Sequence, residues 1–473
     1  MDFPIFHLDG MGNRMLIAVI AILHVLINHG LAVGAMPLIA FLEWRGIKTG
    51  DRRWDDLAYR FLFFCFIITT TVGALTGVGI WLSASLVNPY SIGSLIRIFF
   101  WGWFLEWIIF VTEVALILIY FLTWKKWIGE QKEKHNRFGW ALGIFSWITM
   151  ALIVAILAFM MNTGDWKNKP SLWVAFFNPL YLPQLSFRTP LALVTAGLLG
   201  MFLTYFFIRN DREFRNQALQ LFSKWVIFFL PPLALGAWWY WSSVPRAMSG
   251  HIATALTTMG FTQWHEHLLK GSLLGILVIS AISLLGLWKP NRVPRFAVLL
   301  PFVITLMLLG YFERIREFIR KPYVIPGYMY SNTYRLEDYP LLQKEGVLAH
   351  ATYCVVKSSK EITSSNQVDA GRDVFMLTCT RCHTSDGMNG VVAKFEKILG
   401  TGEWDREVVA NYVENMHGSR TFMPPFPGNA EELKALAAYL SQLRQNPEQS
   451  LGSQNEGING VPAKNLNLSL NPQ

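Results

Sequence analysis

The chain has 473 residues, room for roughly two or three ordinary domains, but 52% of them are hydrophobic, 14% aromatic and only 15% charged, which excludes an ordinary soluble globule. Its net charge of +9 sits in short basic loops between apolar runs, the pattern of membrane orientation signals, and this excludes a nucleic-acid partner. The composition predicts an all-α protein: a polytopic membrane helix bundle over residues 1–321, a connector over 322–365, a small all-α soluble domain over 366–443, and a polar tail over 444–473 that is disordered or partner-bound.

About eight apolar runs are long enough to cross roughly 30 Å of hydrocarbon. They fall near residues 15–42, 57–85, 96–124, 138–162, 188–208, 218–242, 268–288 and 296–320. The first has no small-residue cleavage site and is expected to be an uncleaved span. Basic residues gather in the loops after runs 1, 3, 5 and 7, among them Arg45, Arg52, Lys125, Lys132, Arg209, Arg215, Lys289 and Arg295. Those loops are therefore expected in the cytoplasm, which places both termini and the soluble domain on the periplasmic face of a bacterial inner membrane.

Ionisable groups inside a span are costly, so each is a candidate functional residue. His24 and His29 lie in run 1, five residues apart and about 140° apart around the helix, so they cannot serve one side of one iron. Glu106 and Glu113 lie seven residues apart on one face of run 3, a spacing suited to a proton relay as well as to two acids satisfied by neighbouring helices. Run 7 opens on His265 and His267, which diverge on a helix, so that one is a candidate metal ligand and the other is solvated. Run 8 ends in Glu313, Arg314, Arg316, Glu317 and Arg320; its arginines break the charge pattern and suit haem propionates, with Glu313 a candidate ligand or relay member.

The soluble domain carries Cys379-Thr380-Arg381-Cys382-His383. Two thiols at this spacing can add to the two vinyl groups of one haem while the adjacent imidazole takes the iron, so one covalent haem c is expected here. A leading helix with Gly371 and Phe375 is expected to pack on a closing helix whose stripe is Leu433, Leu436, Ala437, Leu440 and Leu443. Between them, Met423 in Thr-Phe-Met-Pro-Pro-Phe is the expected sixth ligand, with Met416 and His417 as competitors. The unit resembles a class I cytochrome c.

The first span with Ala21-Ile22-Leu23-His24, the basic turn after Glu43-Trp44 and the span from Glu106 to Glu113 ending in Trp124 resemble subunit I of the cytochrome bd oxidases over about residues 14–323. The resemblance implies one or more non-covalent haems of b or b/d type, with His24 a ligand at the oxygen-reducing end and Glu106 and Glu113 on the proton route. It implies a second multi-span subunit similar to bd subunit II. It also departs from the family. Arg188 stands where the low-spin haem histidine would fall, Leu268 or Leu269 where its methionine partner would, and the loop from Ser243 to Thr262 is short of the expected quinol-site pattern. The function so implied is a respiratory haem oxidoreductase subunit that reduces oxygen with electrons from a periplasmic c-type cytochrome or similar carrier. The alternatives are a quinol dehydrogenase module passing electrons out through haem c, and a non-catalytic haem anchor of a larger complex.

Overall fold

The computed structural model describes residues 5–257, 265–353 and 360–445. Cys354, the tail beyond Gln445 and the side chain of His265 lie outside that description. The chain divides into two compact units, one of residues 21–78 and 95–319, the other of 1–20, 79–94 and 320–473.

The apolar runs form long helices: α1 (Asn13–Thr49), α2 (Arg52–Val87), α3 (Phe100–Thr123), α4 (Gln131–Phe159), α5 (Tyr181–Phe207), α6 (Arg212–Ser243), α7 (His265–Trp288) and α8 (Leu299–Ile319). Gly50, at φ 69, ends α1, and the Asp51 carboxylate caps α2 by accepting from the Arg53 backbone N–H at 3.0 Å. Among the described residues seven helices, rather than eight, are long and apolar enough to cross a membrane. The eighth run does form α8, whose 21 residues rise about 31 Å. Glu313, Arg314, Arg316 and Glu317 crowd its last turns, and in so short a helix they leave no long uncharged stretch beside them.

Both α1 and α2 contain a π-helical stretch, Asn28–Gly34 and Thr69–Gly73. Such bulges re-aim side chains and recur at functional sites. Here the first one brings α1 against α5, where a Cβ on Gly34 would fall 2.0 Å from the Ala192 carbonyl oxygen. Only glycine permits that approach. α5 is the most enclosed helix of this unit, with Arg188, Thr195, Ala196, Leu198 and Met201 all buried. Outward-facing side chains such as Leu75, Phe228, Leu235 and Trp238 are at least 67% exposed, as a lipid-facing or subunit-facing surface requires.

In the second unit, α9 (Gln367–Thr378) and α12 (Ala430–Gln445) cross at Gly371, where a Cβ would meet the Ala435 carbonyl oxygen at 2.0 Å. The rings of Phe375 and Tyr439 pack 5.7 Å apart across the same crossing. α10 (Val391–Leu399) and α11 (Arg406–Ser419) close the core around Phe395, Trp404, Val409 and Leu440. The segment before α9 is more than a spacer. It holds a hairpin of β1 (Tyr323–Ile325) and β2 (Met329–Tyr330) and a short helix, Tyr339–Glu345. Its Leu342, Val347 and Leu348 join the same core as Phe375.

Candidate functional site

The Cys-x-x-Cys-His segment is a helical turn continuing α9. Cys379 N–H bonds the Phe375 carbonyl at 2.9 Å, and Cys382 and His383 N–H both bond the Cys379 carbonyl, at 3.0 and 2.9 Å. Neither cysteine is in a disulfide. Burial pushes the Cys379 thiol up to about 11, so it is not poised as a thiolate nucleophile. His383 Nδ1–H donates to the Asn389 carbonyl at 3.1 Å, which fixes the tautomer and leaves the Nε2 lone pair for a metal. Burial, then the Lys394 cation, push this imidazole down to about 3, so it is neutral as an iron ligand must be. Two cysteines outside any disulfide and an oriented neutral imidazole fit a covalent haem.

Residues the sequence did not mark complete this site. The loop after His383 rests on the N-terminal segment: the Asp9 carboxylate accepts from the Ser385 N–H at 2.7 Å and from its hydroxyl at 2.5 Å, and His7 bonds Asp9 at 2.9 Å. Gly387 packs on the Asp9 carbonyl, where a Cβ would fall at 2.0 Å. A contact spanning 376 residues of chain leaves no periodic trace in sequence. Met423 sits half-buried in the Met-Pro-Pro-Phe loop. Of its expected competitors, Met416 packs on the apolar core, and His417 donates from Nδ1 to the Met423 carbonyl at 2.5 Å.

In the membrane unit His24 and His29 face different partners. His24 is half-buried against α2, with Nδ1 3.2 Å from the Gly73 carbonyl and from Thr76 Oγ1. Donation to that carbonyl leaves Nε2 as the acceptor, and Asn28 Nδ2 lies 2.8 Å from it. Iron ligation through Nε2 would require Asn28 to give up that contact, while the Nδ1 bond would hold the ring. His29 is buried in the π stretch. Its Nδ1 donates to the Val25 carbonyl at 3.2 Å and its Nε2 receives Arg188 Nη1 at 3.0 Å.

Arg188 is wholly buried, and its Nη2 donates to Glu313 Oε1 at 2.5 Å. Arg316 Nε reaches the other oxygen of Glu313 at 3.1 Å. α1, α5 and α8 are thus joined by one buried ion network. A guanidinium has no lone pair for iron, so Arg188 can act toward a haem only as a cation or donor. Arg320 is nearly buried and donates to the Val324 carbonyl at 3.2 Å. His267 is exposed at the start of α7.

The seam between α3 and α4 is lined with protonatable groups. Glu106, Glu113 and Tyr120 recur every seven residues, about 10 Å apart on one face of α3. Glu113 receives hydrogen bonds from Ser146 at 2.5 Å and Thr149 at 3.1 Å, both on α4. Tyr120 donates to Glu43 at 2.8 Å, and Glu43 also binds His135 at 2.5 Å, Asn136 at 3.1 Å and, as an ion pair, Lys132 at 3.0 Å. His135 faces oxygen acceptors at both ring nitrogens, its Nε2 lying 2.8 Å from the Tyr120 carbonyl. Lys132 in turn pairs with Asp55 at 2.9 Å, whose side chain is 31% exposed. Sequence reading found Glu106 and Glu113 but missed Glu43 and His135, which lie near the charged helix ends and resemble loop residues until their partners are known.

Comparison with known proteins comes to the same two parts. Residues 13–239 match the family model of cytochrome bd terminal oxidase subunit I. Residues 366–440 match that of cytochrome c oxidase, cbb3-type, subunit III. A solved structure of bd oxidase from Geobacillus thermodenitrificans has a similar fold, with a TM-score of 0.55 at 18% identity over 68% of this chain and 90% of that one. No curated protein matches the chain.

Proposed function

We propose, for a chain whose residues 13–239 match the cytochrome bd subunit I family model and whose residues 366–440 match the cbb3-type subunit III model, that this respiratory haem oxidoreductase subunit is an oxygen reductase fed through its own cytochrome c domain. Its donor would be a periplasmic c-type cytochrome or similar carrier, and its partner a second multi-span subunit. Haem, when bound, supplies one-electron chemistry at both parts. Cys379 and Cys382 would tether the covalent group, with His383 and Met423 on its iron. His24 would ligate a membrane haem of b or d type, while Arg188 and Arg320 would act as cations toward propionates. His29, His265, His267 and Glu313 remain further ligand candidates, and His29 would first have to give up its bond with Arg188.

The observation that carries this reading is the α3–α4 seam. Reduction of oxygen to water consumes a proton with each electron, whereas a bare electron relay needs none. Lys132 and Asp55, at the partly exposed end of the seam, would take up protons; Glu43, His135 and Tyr120 would pass them along; Glu113 and Glu106 would hold them deepest. By the charge bias of the basic loops, the open end of this route would face the cytoplasm.

Carbon monoxide added to the reduced, purified protein tests the reading. A change in the visible spectrum is expected, because an oxygen-reducing haem keeps an open iron position. An unchanged spectrum, together with quinol-driven reduction of the haem c, would overturn it in favour of a quinol dehydrogenase module.

A further inference from the structure

The Met-Pro-Pro-Phe loop has an unusual physical problem. Pro424 and Pro425 carry no backbone N–H, so beyond the turn that the Met423 N–H closes on the Arg420 carbonyl at 2.8 Å the loop cannot extend a ladder or a helical turn of its own. Its carbonyls must find donors elsewhere or stay wet. Three of them are held by side chains. His417 Nδ1–H donates to the Met423 carbonyl at 2.5 Å, the Tyr339 hydroxyl to the Pro425 carbonyl at 3.1 Å, and Gln343 Nε2 to the Phe426 carbonyl at 3.4 Å. Two of the three donors come from the short helix Tyr339–Glu345, within the stretch whose composition reads as a connector.

That helix is itself fixed. Asn332 Nδ2 donates to the Tyr339 hydroxyl at 3.0 Å, which leaves the hydroxyl proton for Pro425. The Tyr330 ring packs edge-on against Tyr339 at 4.9 Å and against His417 at 6.3 Å, and Tyr323 stacks on Tyr330 at 4.9 Å. Glu432 holds the chain just beyond the helix, accepting from the N–H of Val347 at 2.9 Å and of Leu348 at 2.7 Å. The hairpin, the short helix and α11 therefore all converge on one four-residue loop.

We propose that His417, Tyr339 and Gln343 are positioning residues that clamp the Met423 loop and thereby hold the thioether on the iron of haem c. This rests on the reading of Met423 as the sixth ligand. An unbraced loop would let the thioether swing away and open the iron to small ligands. The clamp therefore sets how far the haem c stays closed, six-coordinate and high in potential.

The test uses the full-length holoprotein and two readouts that general loss of stability would not move in this pattern. These are the far-red charge-transfer band of a ferric thioether-ligated haem, and the apparent affinity of the oxidised haem c for added imidazole. Tyr339→Phe removes only a hydroxyl, and His417→Ala removes the imidazole donor. Each is expected to raise imidazole affinity about five- to tenfold, the worth of one hydrogen bond, with a weakened band. His417→Gln, which keeps a donor, is expected to recover most of the loss. If Tyr339→Phe and His417→Ala bind imidazole as the unaltered protein does, while Met423→Leu abolishes the band, the clamp is refuted and the ligand stands. If Met423→Leu leaves the band in place, the ligand assignment falls and the clamp falls with it. Should His417→Ala fail to accumulate, Tyr339→Phe and Gln343→Ala decide the question alone.

Discussion

Asp9 shows what a single side chain contributes to this molecule. Burial works against its charged form, but hydrogen bonds from His7 and Ser385 outweigh it and hold the carboxyl below its ordinary 3.8. Because the folded-state value is the lower one, the stabilisation is complete above the unfolded value and disappears as pH falls through the folded one. Asp9→Asn is expected to cost about 1.5–3 kcal/mol at neutral pH, the range for a hydrogen bond to a charged group. The variant and the unaltered protein should begin to converge only as pH falls below the ordinary 3.8, and meet below the lowered folded value. Unfolding of the cytochrome unit followed by its haem absorbance across that range checks this, and parallel pH curves would show that Asp9 contributes nothing through its charge. The residues legible in sequence were those whose chemistry is written locally: two thiols and an imidazole in five positions, a methionine between prolines, two acids seven apart. Asp9, Glu43 and His135 are equally well bonded, yet each owes its role to a partner far along the chain. Arg188 was legible as a position and not as an environment. Its bonds to Glu313 and His29 depend on how α1, α5 and α8 pack.

At the scale of the element, helices were readable from apolar runs, while their irregularities were not. Nothing in the periodicity of run 1 announces the π stretch at Asn28–Gly34, whose last residue meets Ala192 on a helix far along the chain. The crossing of α9 and α12 was more legible, since a glycine and an aromatic one turn apart facing a Leu/Ala stripe describe a close helix pair. Gly371→Ala tests how close. A Cβ at 2.0 Å from the Ala435 carbonyl oxygen cannot be relieved by a side-chain rotation, because the obstacle is backbone. The helices must separate, at the expense of the Phe375–Tyr439 contact and the core around them. A loss of about 2–3 kcal/mol is expected, within the overpacking range, against the small gain that Gly to Ala brings in an open helix. Denaturant unfolding of the holoprotein, read by far-ultraviolet dichroism, measures it. A neutral or stabilising result would mean that the crossing is looser than described.

For the whole molecule the question is whether the α3–α4 seam carries protons or only ties helices together. Glu43 is fully buried and bonded to Tyr120, His135, Asn136 and Lys132, a set that would also serve as a structural knot among α1, α3 and α4. Glu113 separates the two roles better. Its partners Ser146 and Thr149 are hydroxyls bonded to different oxygens of Glu113, and a hydroxyl can donate or accept, so Glu113→Gln can accept from one through its amide oxygen and donate to the other through its amide nitrogen in the same volume. What it cannot do is bind and release a proton. If the seam is the proton route, oxygen uptake driven by a reduced c-type donor should fall at least about a hundredfold, the usual effect of removing a positioned proton-transfer group. Reduction of the haem c by the same donor should keep its rate, because that step draws on Cys379, Cys382, His383 and Met423. Glu43→Gln should reproduce the loss of uptake from the opposite end of the seam. Unchanged uptake in Glu113→Gln with full haem content would leave the seam a structural tie and direct the search for the proton path to another helix pair.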